Sequence, residues 1–91
     1  MEIGKAIIQL RKKKGLTQKD FSIKCGLSNN AVCQIEIGNV FPNKTTIEKM
    51  SKVLNVPISY ILFFSITVDD VPDDKKQVFN SLSGLKDLLI S

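Results

Sequence analysis

Apolar residues recur along this chain at intervals of three and four, and polar or glycine-containing breaks separate them into short runs. Ile3, Ile7, Ile8 and Leu10 set one face of a first helix that passes into Arg11-Lys12-Lys13-Lys14 and stops at Gly15. Cations in a last turn complement the helix dipole, and a glycine just beyond it accepts the left-handed conformation that ends a helix. Thr17 is an N-cap for a second helix, Gln18–Cys25, with Phe21 and Cys25 inward and Ile23 ambiguous. Gly26 ends that helix, and Ser28 caps a third, predicted over 29–37 and stopped by Gly38. A loop over 39–43 contains Pro42. Asn43 then caps a fourth helix, Lys44–Leu54, whose buried stripe is Ile47, Met50, Val53 and Leu54. Asn55 closes it, and Pro57 opens a fifth helix from 58 to about 64.

The rest of the chain reads differently. Asp69-Asp70-Val71-Pro72-Asp73-Asp74 combines a turn with a helix start, since proline suits a first turn and carboxylates suit the positive end of the dipole. Val78, Leu82, Leu85 and Leu89 follow on one helical face, with Ser83-Gly84 as a candidate break into two short helices. No segment sustains the period-two alternation of a strand; 65–68 is the one ambiguous stretch. The pattern predicts an all-α protein. A five-helix domain over residues 1–66 is followed by a helical tail over 67–91.

The second and third helices are eight or nine residues each, joined by a short turn containing Gly26. That is the composition of a helix-turn-helix. Charge sharpens the picture. Residues 1–66 hold ten Lys/Arg against four Asp/Glu, net +6, and residues 67–91 hold three Lys against five Asp, net −2. The basic part is the candidate for a polyanion. A hydrophobic content of 43% is that of a packed domain rather than a disordered chain.

Chemistry is scarce. There is no histidine, and Cys25 and Cys33 are the two cysteines, so a structural zinc, a histidine general base and any cofactor are not expected. No glycine-rich phosphate loop occurs, and no enzymatic activity is expected. The longest apolar stretch, 58–66, is far short of the ~20 residues that span a bilayer. With no basic-then-apolar leader at Met1-Glu2-Ile3, a cytoplasmic protein is the expectation.

From Ile3 to about Phe63 the chain resembles the phage repressor and Cro (XRE-like) family of helix-turn-helix domains. The carriers are Ile8-Gln9-Leu10-Arg11, Gly15-Leu16-Thr17-Gln18-Lys19-Asp20-Phe21, Gly26-Leu27-Ser28, Ile35-Glu36-Ile37-Gly38, Pro42 and the stretch from Ile47 to Val56. The resemblance implies a repressor-like, sequence-specific DNA-binding regulator whose third helix enters the major groove of double-stranded DNA. The N-terminal residues of such a helix meet base edges. Here these are Asn29, Asn30 and Cys33, with Gln34 one turn beyond Asn30, while Val32 and Ile35 face the core. Asn and Gln pair with adenine through N6 and N7, so A·T pairs are expected at the read positions. The alternative for Asn29 and Asn30 is that they merely begin a helix.

The resemblance also places Gln18, at the start of the preceding helix, where it touches a phosphate and braces the third helix, and pairs Arg11 with Glu36 as a structural ion pair between the first and third helices. Ser28, Asn39, Lys44 and Lys14 are candidates for the phosphate rim, with ordinary surface polarity as the alternative. Two departures stand out. Many relatives carry basic residues around the glycine after the third helix, where this chain has Ile37, Val40 and Phe41. The third helix itself carries no Arg or Lys, so the commonest guanine contact is missing from it.

A homodimer is expected, with Val78, Leu82, Leu85 and Leu89 burying a shared face alongside Phe63, Phe64 and Ile66. The alternative is a tail folded back on its own domain. An antitoxin-like module that holds a protein partner through the tail is the competing function.

Overall fold

A computed structural model describes residues 1–90, with the side chains of Lys86, Asp87, Leu89 and Ile90 left out of the description. The predicted interface residue Leu89 therefore lies outside the described side chains. Six helices follow one another: α1 (Ile3–Lys13), α2 (Gln18–Cys25), α3 (Asn29–Glu36), α4 (Lys44–Leu54), α5 (Ile58–Ser65) and α6 (Lys76–Ile90). Among the described residues there is no strand. The protein is all-α.

Local chemistry sets the helix starts. Thr17, Ser28 and Asn43 each accept a hydrogen bond from the backbone N–H three residues on, at 3.0, 3.0 and 2.9 Å. Each such cap contributes about 1 kcal/mol. Gly26, at φ 68°, and Asn55, at φ 56°, end α2 and α4 in the left-handed region. Gly26 turns the chain at no steric cost, and α3 begins three residues later.

One core joins the first five helices. Ile3, Ala6, Ile7 and Leu10 of α1 pack with Phe21 and Cys25 of α2, Val32 and Ile35 of α3, Ile47, Met50 and Leu54 of α4, and Ile61 and Phe64 of α5. Val53 is partly buried, and Ile23 faces solvent at 67% exposure. The ends of α1 and α5 are tied by the Glu2 N–H, which donates to the carbonyl of Ser65 at 2.7 Å. The Ser65 hydroxyl, fully buried, donates to the Ile61 carbonyl at 2.7 Å.

Three boundaries differ from the pattern read in the sequence. Helix α3 stops at Glu36 rather than Ile37, and α5 continues to Ser65. The Asp-rich stretch makes two single 3₁₀ turns, Val68–Asp70 and Asp73–Lys75, before α6 begins. There the N-terminal ammonium donates to Asp70 at 2.8 Å. This hydrogen bond, with another from Thr67, holds the Asp70 carboxyl down at about 2. Ser83-Gly84 does not break α6. The Ser83 hydroxyl donates back to the Phe79 carbonyl at 3.1 Å, and a glycine inside a helix costs about 1 kcal/mol without forbidding it.

Gly4 sets the spacing of α1 and α3. A Cβ there would stand 2.5 Å from the carbonyl oxygens of both Ile35 and Glu36, which are backbone atoms unable to rotate away. Gly4→Ala gains about 1 kcal/mol of helix propensity but pushes the two helices apart, a loss of about 1–3 kcal/mol. The expected net effect is a melting temperature lower by roughly 5–10 °C. Gly84→Ala, where nothing lies within 4 Å of the added methyl, is expected to raise helicity instead. Thermal melts followed by circular dichroism distinguish the two.

Candidate nucleic-acid interface

The side of α3 turned away from the core carries the predicted readers. Asn29 and Asn30 are exposed in its first turn, Ala31, Cys33 and Gln34 are half-buried, and Val32 and Ile35 are buried behind them. The backbone N–H groups of a first helical turn have no partner inside the helix, so this end suits an anion as well as a base edge. Ser28 accepts from Ala31 N–H with its hydroxyl oxygen, which leaves the hydroxyl proton free to donate outward.

A buried fork holds α3 in place. Arg11 donates from Nε to Glu36 Oε2 at 2.9 Å and from Nη2 to Glu36 Oε1 at 3.0 Å. Its remaining arm, Nη1, donates to the Leu16 carbonyl at 3.0 Å. The side chains are 10% and 3% exposed. Two residues that the sequence marks for DNA also bond within the protein. Gln18 donates from Nε2 to Glu36 Oε1 at 3.2 Å, so the start of α2 is braced against the end of α3. Asn39 donates from Nδ2 to Gln34 Oε1 at 2.9 Å. The brace from Gln18 to the third helix is what the family resemblance implies, whereas the Asn39–Gln34 link was not readable in the sequence, since no periodicity or spacing marks a contact made through a loop.

Lys14 and Lys44 are exposed, one just after α1 and the other at the first position of α4. Between Lys24 and Lys44 the chain has no Lys or Arg. In their place, Ile37, Val40 and Phe41 stand 61%, 50% and 58% exposed beside the end of α3. A cleft of about 390 Å³ runs between this loop and α3, lined by Asn30, Ala31, Gln34, Val40, Phe41 and Asn43 among others. Cys25, inside the core, has its thiol pushed up to about 11 by burial, with Lys49 pulling weakly the other way. Among the described residues no cluster of three His, Cys, Asp or Glu side chains could hold a metal, and no helix is long and apolar enough to cross a membrane.

This arrangement, a capped α2, a tight glycine turn and an α3 with amides outward, is the DNA-binding helix-turn-helix. A model of the helix-turn-helix family matches residues 7–61, and the chain belongs to that XRE-like family. Among curated proteins, it is 39% identical over 56 residues to a putative multi-protein-binding factor 1 of Yarrowia lipolytica, covering 62% of this chain and 37% of that protein. It is 33% identical over 58 residues to human endothelial differentiation-related factor 1, covering 64% and 39%. It is 26% identical over 93 residues to the HTH-type transcriptional activator BcrR of Enterococcus faecalis, covering 98% and 46%. The chain thus spans less than half the length of each of these relatives.

The fork makes a sharp prediction. Glu36→Ala leaves the Arg11 guanidinium buried with a single carbonyl partner, and removal of one side of a buried pair costs about 3–5 kcal/mol. The expected result is a large drop in the midpoint of denaturant unfolding. An unchanged midpoint would show that Arg11 finds other partners.

Proposed function

We propose that this protein is a non-catalytic, sequence-specific transcriptional regulator that reads an inverted-repeat operator as a homodimer. The observation that carries the reading is the exposed first turn of α3, where Asn29 and Asn30 stand on a helix fixed from behind by Arg11 and Glu36. Amides on a rigid helix end suit base edges in the major groove. Ser28, Lys14 and Lys44 serve the phosphates on either side, and Gln18 contributes through the start of α2.

The tail supplies the second copy. Val78, Leu82 and Leu85 on α6 are 58%, 43% and 50% exposed. Their stripe continues into a cleft of about 310 Å³, lined by Phe63, Ile66, Val71 and Phe79 together with Lys75. The 4-3 spacing of the stripe is that of a helix–helix seam. Phe64, expected at this interface, is 8% exposed and belongs to the core instead. A two-fold dimer sets half-sites about 34 Å apart.

A second reading gives the same α6 face to a different protein, as an antitoxin or bridging module would. It is favoured by the names of the relatives, which describe multiprotein-bridging factors.

Two measurements test the proposal. Sedimentation at tens of micromolar is expected to give a dimer; a monomer would hand the α6 face to the second reading. Titration of duplex operators at two salt concentrations is expected to show Asn30→Ala losing about 1–3 kcal/mol and relaxing one base pair. Lys44→Ala should instead weaken all sequences alike and flatten the salt dependence. If Asn29→Ala and Asn30→Ala both bind as tightly and selectively as the parent, α3 is not the reader.

A further inference from the structure

Gln34 is gripped twice by the loop that follows its helix. Its main-chain carbonyl accepts from the N–H groups of Asn39, at 3.0 Å, and Val40, at 3.2 Å. Its side-chain Oε1 accepts from Nδ2 of Asn39 at 2.9 Å. Helix end, loop and amide therefore move as one unit, on the wall of the cleft that also contains Asn30 and Ala31.

A free glutamine amide offers one acceptor and one donor side by side. That pairing matches adenine, whose N6 donates and whose N7 accepts. In this protein the acceptor end is turned to the loop, where Asn39 takes one of its two lone pairs. Nε2, with its two hydrogens, is the end left for a ligand. Adenine offers Nε2 one acceptor, N7, flanked by the N6 donor, whereas guanine presents two neighbouring acceptors, N7 and O6.

We propose that Asn39 is a positioning residue that holds Gln34 as a hydrogen-bond donor, so that this position of the interface selects guanine rather than adenine. The inference rests on the DNA-reading role proposed above. It supplies a guanine reader to a helix that carries no Arg or Lys. It also moves Asn39 from the phosphate rim, where the sequence suggests it, to the control of a base contact.

Changing the polarity of residue 39 tests this directly. Aspartate accepts and cannot donate, so in Asn39→Asp the Gln34 amide is expected to turn, giving Nε2 to the new carboxylate and Oε1 to the DNA. An outward acceptor suits the exocyclic amine of cytosine or adenine. Asn39→Ala releases the amide, which regains the bidentate match to adenine. Asn39 is exposed, so neither variant opens a core cavity, and melting curves establish that each is folded.

The experiment is selection from a randomised duplex pool with the full chain and both variants at one fixed salt concentration. The parent is expected to enrich guanine over adenine at one position of each half-site by roughly tenfold. Asn39→Asp should move that position alone to cytosine or adenine, and Asn39→Ala should move it to adenine. Adenine in the parent, or the same base in all three proteins, overturns the assignment. Uniform weakening of every sequence by Asn39→Ala overturns it too, because that is the behaviour of a phosphate contact. A parent that enriches no sequence overturns the DNA-reading role itself, which separates that failure from failure of the Asn39 inference alone.

Discussion

Arg11 and Glu36 sit side by side in a small apolar core, and the orientation of α3 depends on their meeting there. Both charges are largely withdrawn from water, so each is satisfied mainly by the other and by a few neighbours: the Leu16 carbonyl on one side and the Gln18 amide on the other. Four segments are thereby connected at one ion pair: the end of α1, the turn after it, the start of α2 and the end of α3. Such a pair adds little net stability over well-packed apolar residues, but it penalises any arrangement that separates its members. Register is what it secures. The two sides of the helix-turn-helix cannot slide or rotate without stranding a buried ion.

Gly4 enforces the same geometry by contact. With no Cβ, α1 rests against the last carbonyls of α3, and the ion pair closes from about two turns further along α1. The outer face of α3 is therefore braced from behind while its front holds short polar side chains. That combination suits recognition, because little ordering remains to be done when a ligand arrives.

Features encoded by near neighbours were legible in the sequence. Thr17, Ser28 and Asn43 act within three residues of themselves, and Gly26 acts on its own φ, so α2 and α4 have the limits that the sequence predicts. The Arg11–Glu36 contact was available only through resemblance to a family, as 25 residues separate the partners. The Gln34–Asn39 clasp was legible by neither route, because it depends on how the loop after α3 closes. The continuous α6 shows the opposite limit. Ser83-Gly84 looks like punctuation, yet a back-bonded serine and one glycine did not outweigh the turns on either side. Phe64 was placed at the wrong surface for a related reason. On a helix as apolar as α5 the sequence offers little polar contrast to tell inside from outside, and the ring packs edge-on against Tyr60 and Phe63.

The two cysteines differ in a way that gives the protein a built-in labelling handle. Cys25 is enclosed by the core, and its raised thiol leaves almost no thiolate near neutral pH. Cys33 is half-buried on the solvent side of α3, one residue from Gln34. A thiol-reactive fluorophore would therefore distinguish them without mutagenesis, placing a single dye beside the reading amides while the other sulfur stays unmodified until the core opens. The unaltered chain can then report both events, ligand arrival through the dye and unfolding through the sudden appearance of a second reactive thiol.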